Sequence, residues 1–364
     1  MTIYYTVYAS IILFCFAMKY LKADEFKKRR NSFIFIVVVL VLMLGLRAQN
    51  MGNDLVGYLP AYDYFSAMSW DKVLSLSFYQ NYERGYILFN KIVSLIYNDR
   101  QFFLGACAFV SIFPILYSVY KSETNMLFAT MVFLGIPSFP LLFSGLRQGI
   151  ALGICFLSLI YIRKKKIIPF VGLVFLATLF HFSAIIFIVA YPLYRWKVNR
   201  TIRYLSIASI PVFYLFRYQL FNTFASMFRE NAIADNNNAI GLFLVFSVVY
   251  VFCSFFYDRN DEQQNGLMNL FYFACICQAM GGVKSTVVRV GYYFMLSLII
   301  LIPDILESSV DRNRAHSFGF KDEKSKMIMS IIVIAAFVIF GLYTLRNGSW
   351  SGSYPYYFFW DNNH

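Results

Sequence analysis

Apolar segments of roughly 16 to 20 residues recur along this chain, and they constrain its fold more than any other feature. A helix of about 20 apolar residues is long enough to cross a bilayer. Of the 364 residues, 59% are hydrophobic and 14% are charged, whereas soluble domains carry about 25% charged residues. The sequence therefore excludes a soluble enzyme, a coiled coil and a disordered chain, and it predicts an all-α, polytopic integral membrane protein.

The apolar segments predict about twelve spans in a single integral membrane domain, residues 1–364. The first segment lacks the basic start and the cleavage site of a secretory signal, so we interpret it as a span. The six cysteines lie inside apolar segments and indicate neither a zinc site nor a disulfide framework. The predicted spans cover residues 4–20, 32–49, 101–120, 126–143, 145–162, 167–181, 183–195, 203–219, 240–257, 266–283, 286–305 and 327–345.

Clusters of basic residues between the spans predict the orientation of the chain. They lie at residues 22–30, 163–166, 195–203 and 312–326. If the spans alternate in direction, all four clusters fall on one side, which the positive-inside rule assigns to the cytoplasm. The net charge of +13 is then a consequence of topology, and nucleic acid is not an expected partner.

Two segments are predicted to face outward and to contribute to a functional site, residues 50–100 and 220–239. Within the first, residues 85–97 are apolar but too short to span and contain Lys91, so we predict an interfacial helix after span 2. Aromatic rings prefer the headgroup level of a bilayer. The aromatic tail, residues 354–360, is therefore predicted to fold back on the outer surface.

Ionisable residues within or at the edges of membrane spans are energetically costly, so they are candidates for function. Most of those in this chain lie at the predicted outer ends of their helices. Arg47 and Arg84 could instead anchor helix ends at the interface. Asp54 could cap a helix, and His181 could be a hydrogen-bonded residue at a helix end. The full set is Arg47, Asp54, Tyr58, Glu83, Arg84, Arg147, His181, Lys284 and Arg289.

Arg147 is the hardest of these residues to explain as an anchor. Glycines recur at every fourth position from Gly145 to Gly153, which predicts close packing of this helix against a neighbour. Pro137 and Pro140 precede it and predict a kink in the fourth span. An arginine at a tightly packed helix start requires an anionic partner or ligand.

Four short motifs follow one another among these spans. They are Arg47-x4-Gly52-Asn53-Asp54-x3-Tyr58, Glu83-Arg84-Gly85-Tyr86, Leu146-Arg147-Gln148-Gly149-Ile150-Ala151 and Phe180-His181-Phe182-Ser183-Ala184. In this order they resemble the EpsG family, the Wzy-like polymerases of bacterial exopolysaccharide, capsule and O-antigen. The resemblance covers about residues 30–200 and continues more weakly through Arg289 and the tail. Asn53 departs from the threonine that is common in the family at that position.

The resemblance implies a multi-pass, GT-C-like glycosyltransferase in the bacterial cytoplasmic membrane, with its active site facing outward. Its expected substrate is an oligosaccharide repeat unit on undecaprenyl diphosphate within the lipid bilayer. Its expected reaction moves the growing chain from its lipid carrier to the non-reducing end of a newly flipped unit. A protein that regulates chain length is a further expected partner, from the resemblance alone.

This chemistry requires cations for the departing diphosphate and a proton acceptor for the attacking hydroxyl. The three histidines are far apart in the sequence, so we expect no metal and no cofactor. The predicted residues are Arg147, Arg289 and Arg47 for diphosphate binding, Asp54, His181 and Glu83, in that order, for proton transfer, and Tyr58 and Tyr86 for sugar binding.

Three other functions are alternatives to the polymerase. An O-antigen ligase shares the lipid-diphosphate donor, but a large external loop between late spans is expected there, whereas the largest one here is early. A flippase or transporter of the same glycan is expected to carry charges near the middle of its spans. An outer-leaflet acyltransferase is weakened because only one histidine, His181, lies on the outer side.

The topology can be tested with single cysteines at Lys165 and Asn53 in a background that lacks the native six. We expect the two cysteines to react with an impermeant thiol reagent from opposite sides of the membrane. Residue 165 lies in a predicted cytoplasmic cluster, whereas residue 53 lies in the segment predicted to face outward. Labelling of both cysteines from the same side would contradict this topology.

Overall fold

Helices form nearly all of the regular structure in the computed structural model, which describes residues 1–75, 78–79, 82–227, 240–307 and 322–361. The all-α class is thereby confirmed. The helices are α1 (Thr2–Tyr20), α2 (Glu25–Gly45), α3 (Leu55–Ala67), α4 (Trp70–Ser75), α5 (Arg84–Ile96), α6 (Arg100–Lys121), α7 (Met126–Leu134), α8 (Leu141–Ser144), α9 (Leu146–Arg163), α10 (Ile167–Thr178), α11 (Ala190–Arg195), α12 (Arg200–Leu215), α13 (Arg217–Met227), α14 (Ile240–Phe256), α15 (Glu262–Ala279), α16 (Ser285–Met295), α17 (Leu298–Glu307) and α18 (Glu323–Arg346). A 3₁₀-helix covers Phe182–Val189, and strands β1 (Phe78–Tyr79) and β2 (Tyr82–Glu83) pair antiparallel.

Several of these helices have the length and composition of membrane spans. Among the described residues, α1, α6, α9 and α18 are each long and apolar enough to cross a bilayer. Helices α16 and α17, bent by 42° at a short break, qualify together as a fifth. The chain is thus a helical membrane protein, and the count of about twelve spans stays a prediction.

The span predicted at residues 126–143 is wrong as a continuous helix. Helix α7 ends at Leu134, and the short α8 begins only at Leu141. Pro137 and Pro140 lie in the break, and neither can donate the backbone hydrogen bond that a continuing helix requires. The two prolines therefore interrupt the helix where a kink was predicted. The boundary predicted between residues 167–181 and 183–195 is present, because α10 ends at Thr178 and the 3₁₀-helix that leads into α11 begins at Phe182.

The chain forms two compact units, Met1–Ile185 with Val333–His364, and Ile186–Ile332. In the first unit, α6 packs against α2 and α9, and α9 also packs against α10. In the second unit, α15 packs against α11, α12, α14, α16 and α17. Helices α6 and α15 are thus the central helices of their respective units.

The close packing predicted for the glycines of α9 is confirmed. A Cβ added at Gly153 would lie 2.7 Å from the carbonyl oxygen of Ser111 on α6, and one at Gly149 would lie 3.2 Å from the Ser111 hydroxyl. The two helices therefore approach each other at distances that a larger side chain would prevent, which fixes the position of the helix that begins with Leu146 and Arg147.

The helix predicted over residues 85–97 is confirmed as α5. One of its faces is buried and carries Tyr86, Ile87, Asn90 and Val93. The other face leaves three apolar side chains largely exposed: Ile92 (51%), Leu95 (63%) and Ile96 (71%). A short helix with one packed and one uncovered apolar face suits the membrane interface, where its location stays a prediction.

The C-terminal tail folds back on the segment that follows α2. The backbone N–H of Ala48 donates to the carbonyl of Tyr357 at 2.9 Å, and the N–H of Phe359 donates to the carbonyl of Leu46 at 3.0 Å. The predicted return of the tail is confirmed, whereas the side of the membrane on which it lies stays a prediction. The tail adds two backbone hydrogen bonds to the segment that carries Arg47.

Candidate functional site

The candidate site lies in the first unit, where Glu83 of β2 meets the first turn of α9. The Nη1 atom of Arg147 donates to Oε2 of Glu83 at 2.6 Å. The side chains keep 17% and 11% of their surface exposed, so the pair is largely shielded from water. An ion pair in such surroundings gains more from its hydrogen bond than one in solvent does.

The second oxygen of the Glu83 carboxylate contacts a third segment, the turn that follows α10. Its Oε1 atom accepts the backbone N–H of Phe182 at 3.0 Å, and Nδ1 of His181 lies 3.5 Å away. Glu83 therefore joins the start of α9 to the turn that follows α10. Three of the predicted site residues, Glu83, Arg147 and His181, are brought together by this single carboxylate.

Two tyrosine rings enclose the Arg147 guanidinium. Its Nε atom donates to the hydroxyl of Tyr58 at 3.3 Å. The guanidinium carbon lies 5.7 Å from the ring centre of Tyr58 and 5.0 Å from that of Tyr82. A cation over aromatic rings within about 6 Å is attracted by their electron density. Sequence reasoning missed Tyr82, although its place directly before Glu83 was a usable signal.

The predicted sugar-binding tyrosines are buried. Tyr58 is 7% exposed and Tyr86 is fully buried, with their ring centres 5.7 Å apart. Tyr86 also stacks on Tyr82, whose hydroxyl donates to the Gly57 carbonyl at 3.0 Å. These rings form the wall behind Arg147, and Tyr82 is the more accessible of the three. The sugar-binding role of Tyr58 and Tyr86 stays a prediction.

The surroundings of Glu83 favour its charged form. Burial raises the pKa of this carboxyl, but the His181 side chain, the charge of Arg147 and the N–H of Phe182 together lower it further than burial raises it. The pKa therefore lies below its ordinary value, and Glu83 is ionised at neutral pH. A carboxylate held in this way is a weak proton acceptor, so its position suits a role in orienting Arg147 and His181.

Asp54 lies at the N-terminus of α3 with its side chain exposed. Its carboxylate makes no capping hydrogen bond to that helix, which argues against the interpretation as a helix cap. The backbone N–H of Asp54 donates to the hydroxyl of Ser144 at 3.0 Å, three residues before Arg147. The charge of Asp54 also contributes to raising the pKa of Tyr82, after burial. The carboxylate is thus close enough to Tyr82 to act on it electrostatically.

Arg47 is placed differently from Arg147. Its side chain is 1% exposed, and its guanidinium donates to the carbonyl oxygens of Leu44 (2.8 Å), Met51 (3.1 Å) and Phe143 (3.0 Å). These contacts join the end of α2 to the following loop and to α8. These hydrogen bonds indicate a structural role for Arg47. Its diphosphate-binding role stays a prediction.

Arg84, Lys284 and Arg289 complete the set of predicted ionisable residues within the described part of the chain. Arg84 is exposed and donates to the carbonyl of Leu74 at 3.4 Å. Lys284, at the N-cap of α16, and Arg289, an exposed residue of that helix, belong to the second unit. His316, His364, residues 228–239 of the second external loop and residues 312–321 of the last basic cluster fall outside the described residues.

The helices that can cross a membrane define the class, a helical membrane protein. A largely shielded ion pair lies at the start of one of these helices, α9. The sequence model of the EpsG family matches residues 30–358, which is most of the chain. The protein therefore belongs to the EpsG family, which indicates a polysaccharide polymerase of the glycosyltransferase kind in general terms. No curated protein matches the chain. No solved structure matches it either.

The lowered pKa of Glu83 predicts a pH-dependent contribution to stability. The contribution is present above the ordinary glutamate value of 4.5 and is lost as the pH falls through the lowered value. Relative to Glu83→Gln, we expect the wild type to be more stable at pH 7 by about 1.5–3 kcal/mol, the range for a hydrogen bond to a charged group. Melting temperatures of both proteins between pH 7 and pH 3 measure this difference, which should shrink towards the acid end.

The matched control is Glu323→Gln, which removes an exposed carboxylate that lies 3.9 Å from Lys326. We expect it to change stability by less than about 0.5 kcal/mol at any of these pH values. A stability difference between wild type and Glu83→Gln that does not vary with pH would show that the Glu83 charge does not stabilise the fold.

Proposed function

We propose that this protein polymerises undecaprenyl-diphosphate-linked oligosaccharide repeat units at the outer face of the bacterial cytoplasmic membrane, with a GT-C-like architecture. Family membership supports polymerase function in general. The observation that carries the specific proposal is the guanidinium of Arg147, which Glu83 and Tyr58 hold in place while part of its surface stays exposed. The product is exopolysaccharide, capsule or O-antigen, and a chain-length regulator is the proposed protein partner.

Arg147 is proposed to bind the diphosphate of the lipid carrier. As the glycosidic bond breaks, negative charge grows on the departing diphosphate, and a fixed cation stabilises that charge without reorganising. The planar guanidinium can grip two phosphate oxygens with parallel hydrogen bonds. Glu83 and Tyr58 contact it at Nη1 and Nε, which reduces the freedom that it loses on binding. Arg289 is the second proposed arginine, on sequence grounds.

The proposed reaction transfers one glycosyl group. A hydroxyl oxygen of the acceptor unit forms a bond to the anomeric carbon of the donor chain. The bond between that carbon and the diphosphate oxygen breaks, and its electron pair leaves with the lipid diphosphate. The proton of the hydroxyl passes to a base, for which we propose Asp54 first and His181 second. Glu83 comes last because its lowered pKa and its contacts make it a positioning residue.

Purified protein supplied with lipid-linked repeat units tests the proposal. We expect a ladder of longer lipid-linked glycans from the wild type. Arg147→Lys keeps the charge but loses the planar fork, so the rate of chain extension should fall by about 10²-fold or more. Arg163→Lys makes the same replacement at the opposite end of α9 and should leave the rate unchanged.

Two results would count against the polymerase. Transfer of the glycan to an acceptor other than a second lipid-linked unit would indicate a ligase. Movement of the lipid-linked unit across a vesicle membrane without any extension would indicate a flippase. If Arg147→Lys instead retained near-normal extension, the diphosphate role of Arg147 would be abandoned in favour of a packing role.

The base is tested by pH–rate profiles of the wild type, Asp54→Asn and His181→Gln on the same substrate. A positioned base contributes about 10²- to 10⁴-fold in rate, so we expect a loss in this range for Asp54→Asn. Asp63→Asn is the matched control, since Asp63 lies on the same helix but pairs with Arg100. Loss of the ascending limb of the pH–rate profile in His181→Gln, with Asp54→Asn still active, would reverse the order.

A further inference from the structure

A cavity of about 400 Å³ lies between α12 and α15 in the second unit. Its lining is mainly apolar and includes Ile202, Leu205, Phe273 and Ile276. The volume falls within the range of roughly 300–1,000 Å³ that ligand-binding cavities occupy. A cavity of this size with apolar walls, between two helices of a membrane protein, suits a hydrocarbon chain.

One residue of the lining is a buried cation. The Arg203 side chain is 2% exposed, and it donates to the hydroxyls of Tyr257 (3.3 Å) and Tyr250 (3.0 Å) and to the amide oxygens of Asn265 (3.2 Å) and Asn269 (2.8 Å). All four partners are neutral. Burying a charge that no opposite charge balances is unfavourable, so this position favours an anion nearby.

The polar groups around Arg203 are held in a fixed orientation. The side-chain N–H groups of Asn265 and Asn269 donate to the carbonyl of Trp196 at 3.0 Å and 2.7 Å. Their amide oxygens therefore point towards the guanidinium. A guanidinium has five N–H donors, and these contacts use four of them. The four contacts therefore orient the Arg203 guanidinium without using all of its N–H donors.

Three further cations lie in the sequence next to or close to Trp196 and Val198, which line the cavity. Arg195, Lys197 and Arg200 are exposed, and Trp196, which lines the cavity, is 56% exposed. None of the three cations contacts an acidic side chain within the described residues; Arg200, for example, donates to the hydroxyl of Tyr204 at 3.0 Å. Tryptophan prefers the headgroup level of a bilayer, and basic clusters beside membrane helices attract anionic headgroups.

We propose that this cavity binds an anionic phospholipid. One acyl chain occupies the apolar space between α12 and α15, and the phosphate lies at the rim formed by Arg195, Lys197 and Arg200. The positive charge of Arg203 at the wall of the cavity favours the same anionic headgroup over a zwitterionic one. The site consists entirely of residues in the second unit, and the proposal does not depend on the proposed polymerase activity.

Titration of the purified full-length protein with lipid, followed by native mass spectrometry, tests the proposal. The probes are phosphatidylglycerol and phosphatidylcholine with identical acyl chains. We expect the wild type to bind phosphatidylglycerol roughly 100-fold more tightly, because the proposed rim has three cations and each contributes about fivefold. Each surface cation contributes about fivefold to the attraction of an anionic lipid, so the double variant Lys197→Gln/Arg200→Gln should weaken phosphatidylglycerol binding by roughly 25-fold and leave phosphatidylcholine unaffected.

Two further variants complete the test. Val198→Trp fills the cavity beside Trp196 and should reduce the binding of both lipids, because the acyl chain loses its space. Lys164→Gln/Lys166→Gln removes two exposed cations from another basic cluster and should change neither affinity. These substitutions avoid the buried Arg203, whose replacement would also disturb folding.

Equal binding of the two lipids by the wild type would overturn the proposal, since it would show a site for any acyl chain. Unchanged phosphatidylglycerol binding in the rim variant or in Val198→Trp would overturn it as well. Chain extension is measured separately, so a protein without polymerase activity that still binds phosphatidylglycerol selectively would contradict the proposed function and leave this inference standing.

Discussion

The candidate site depends on the contact between Glu83 and Arg147. A charge pair that is largely withdrawn from water persists only where its remaining hydrogen-bonding groups are satisfied. Glu83 meets this condition because its two oxygens serve different partners, Arg147 on one side and the N–H of Phe182 on the other. The same carboxylate lies 3.5 Å from His181, so one residue sets the mutual positions of the cation and a candidate base.

Asp54 is brought to this cluster by backbone packing rather than by charge. Gly52 has φ +119°, and a Cβ there would lie 2.0 Å from the carbonyl oxygen of Phe143, so only glycine fits. That same carbonyl accepts a hydrogen bond from Arg47. The loop that contains Asp54 therefore packs closely against Phe143 and Ser144, shortly before Arg147. Arg47 and Gly52 act together, which gives a structural reason for their place in one motif.

Charge patterning made part of this site predictable. Because charged groups are costly in apolar segments, Glu83, Arg147 and His181 could be assigned to helix ends from the sequence. Their contacts with one another could not be predicted, because they depend on where strand β2 places the Glu83 carboxylate. Tyr82 was missed because it carries no charge and is one of 28 tyrosines. Apolar composition located the helices but not the breaks within them. Prolines mark the break between α7 and α8, whereas the breaks between α12 and α13 and between α16 and α17 contain none.

The partners of Arg147 also limit how it can act on a diphosphate. Glu83 and Arg147 together carry no net charge, so Arg147 stabilises a departing diphosphate through its own N–H groups at short range and less strongly than an unpaired arginine would. Protonation of His181 changes this balance, because an imidazolium 3.5 Å from Glu83 competes for the same carboxylate. If His181 takes the acceptor proton, the positive charge of Arg147 becomes less compensated as the leaving group becomes negative. A lost ascending limb in the His181→Gln pH–rate profile would support this coupling, and an unaltered profile would exclude it.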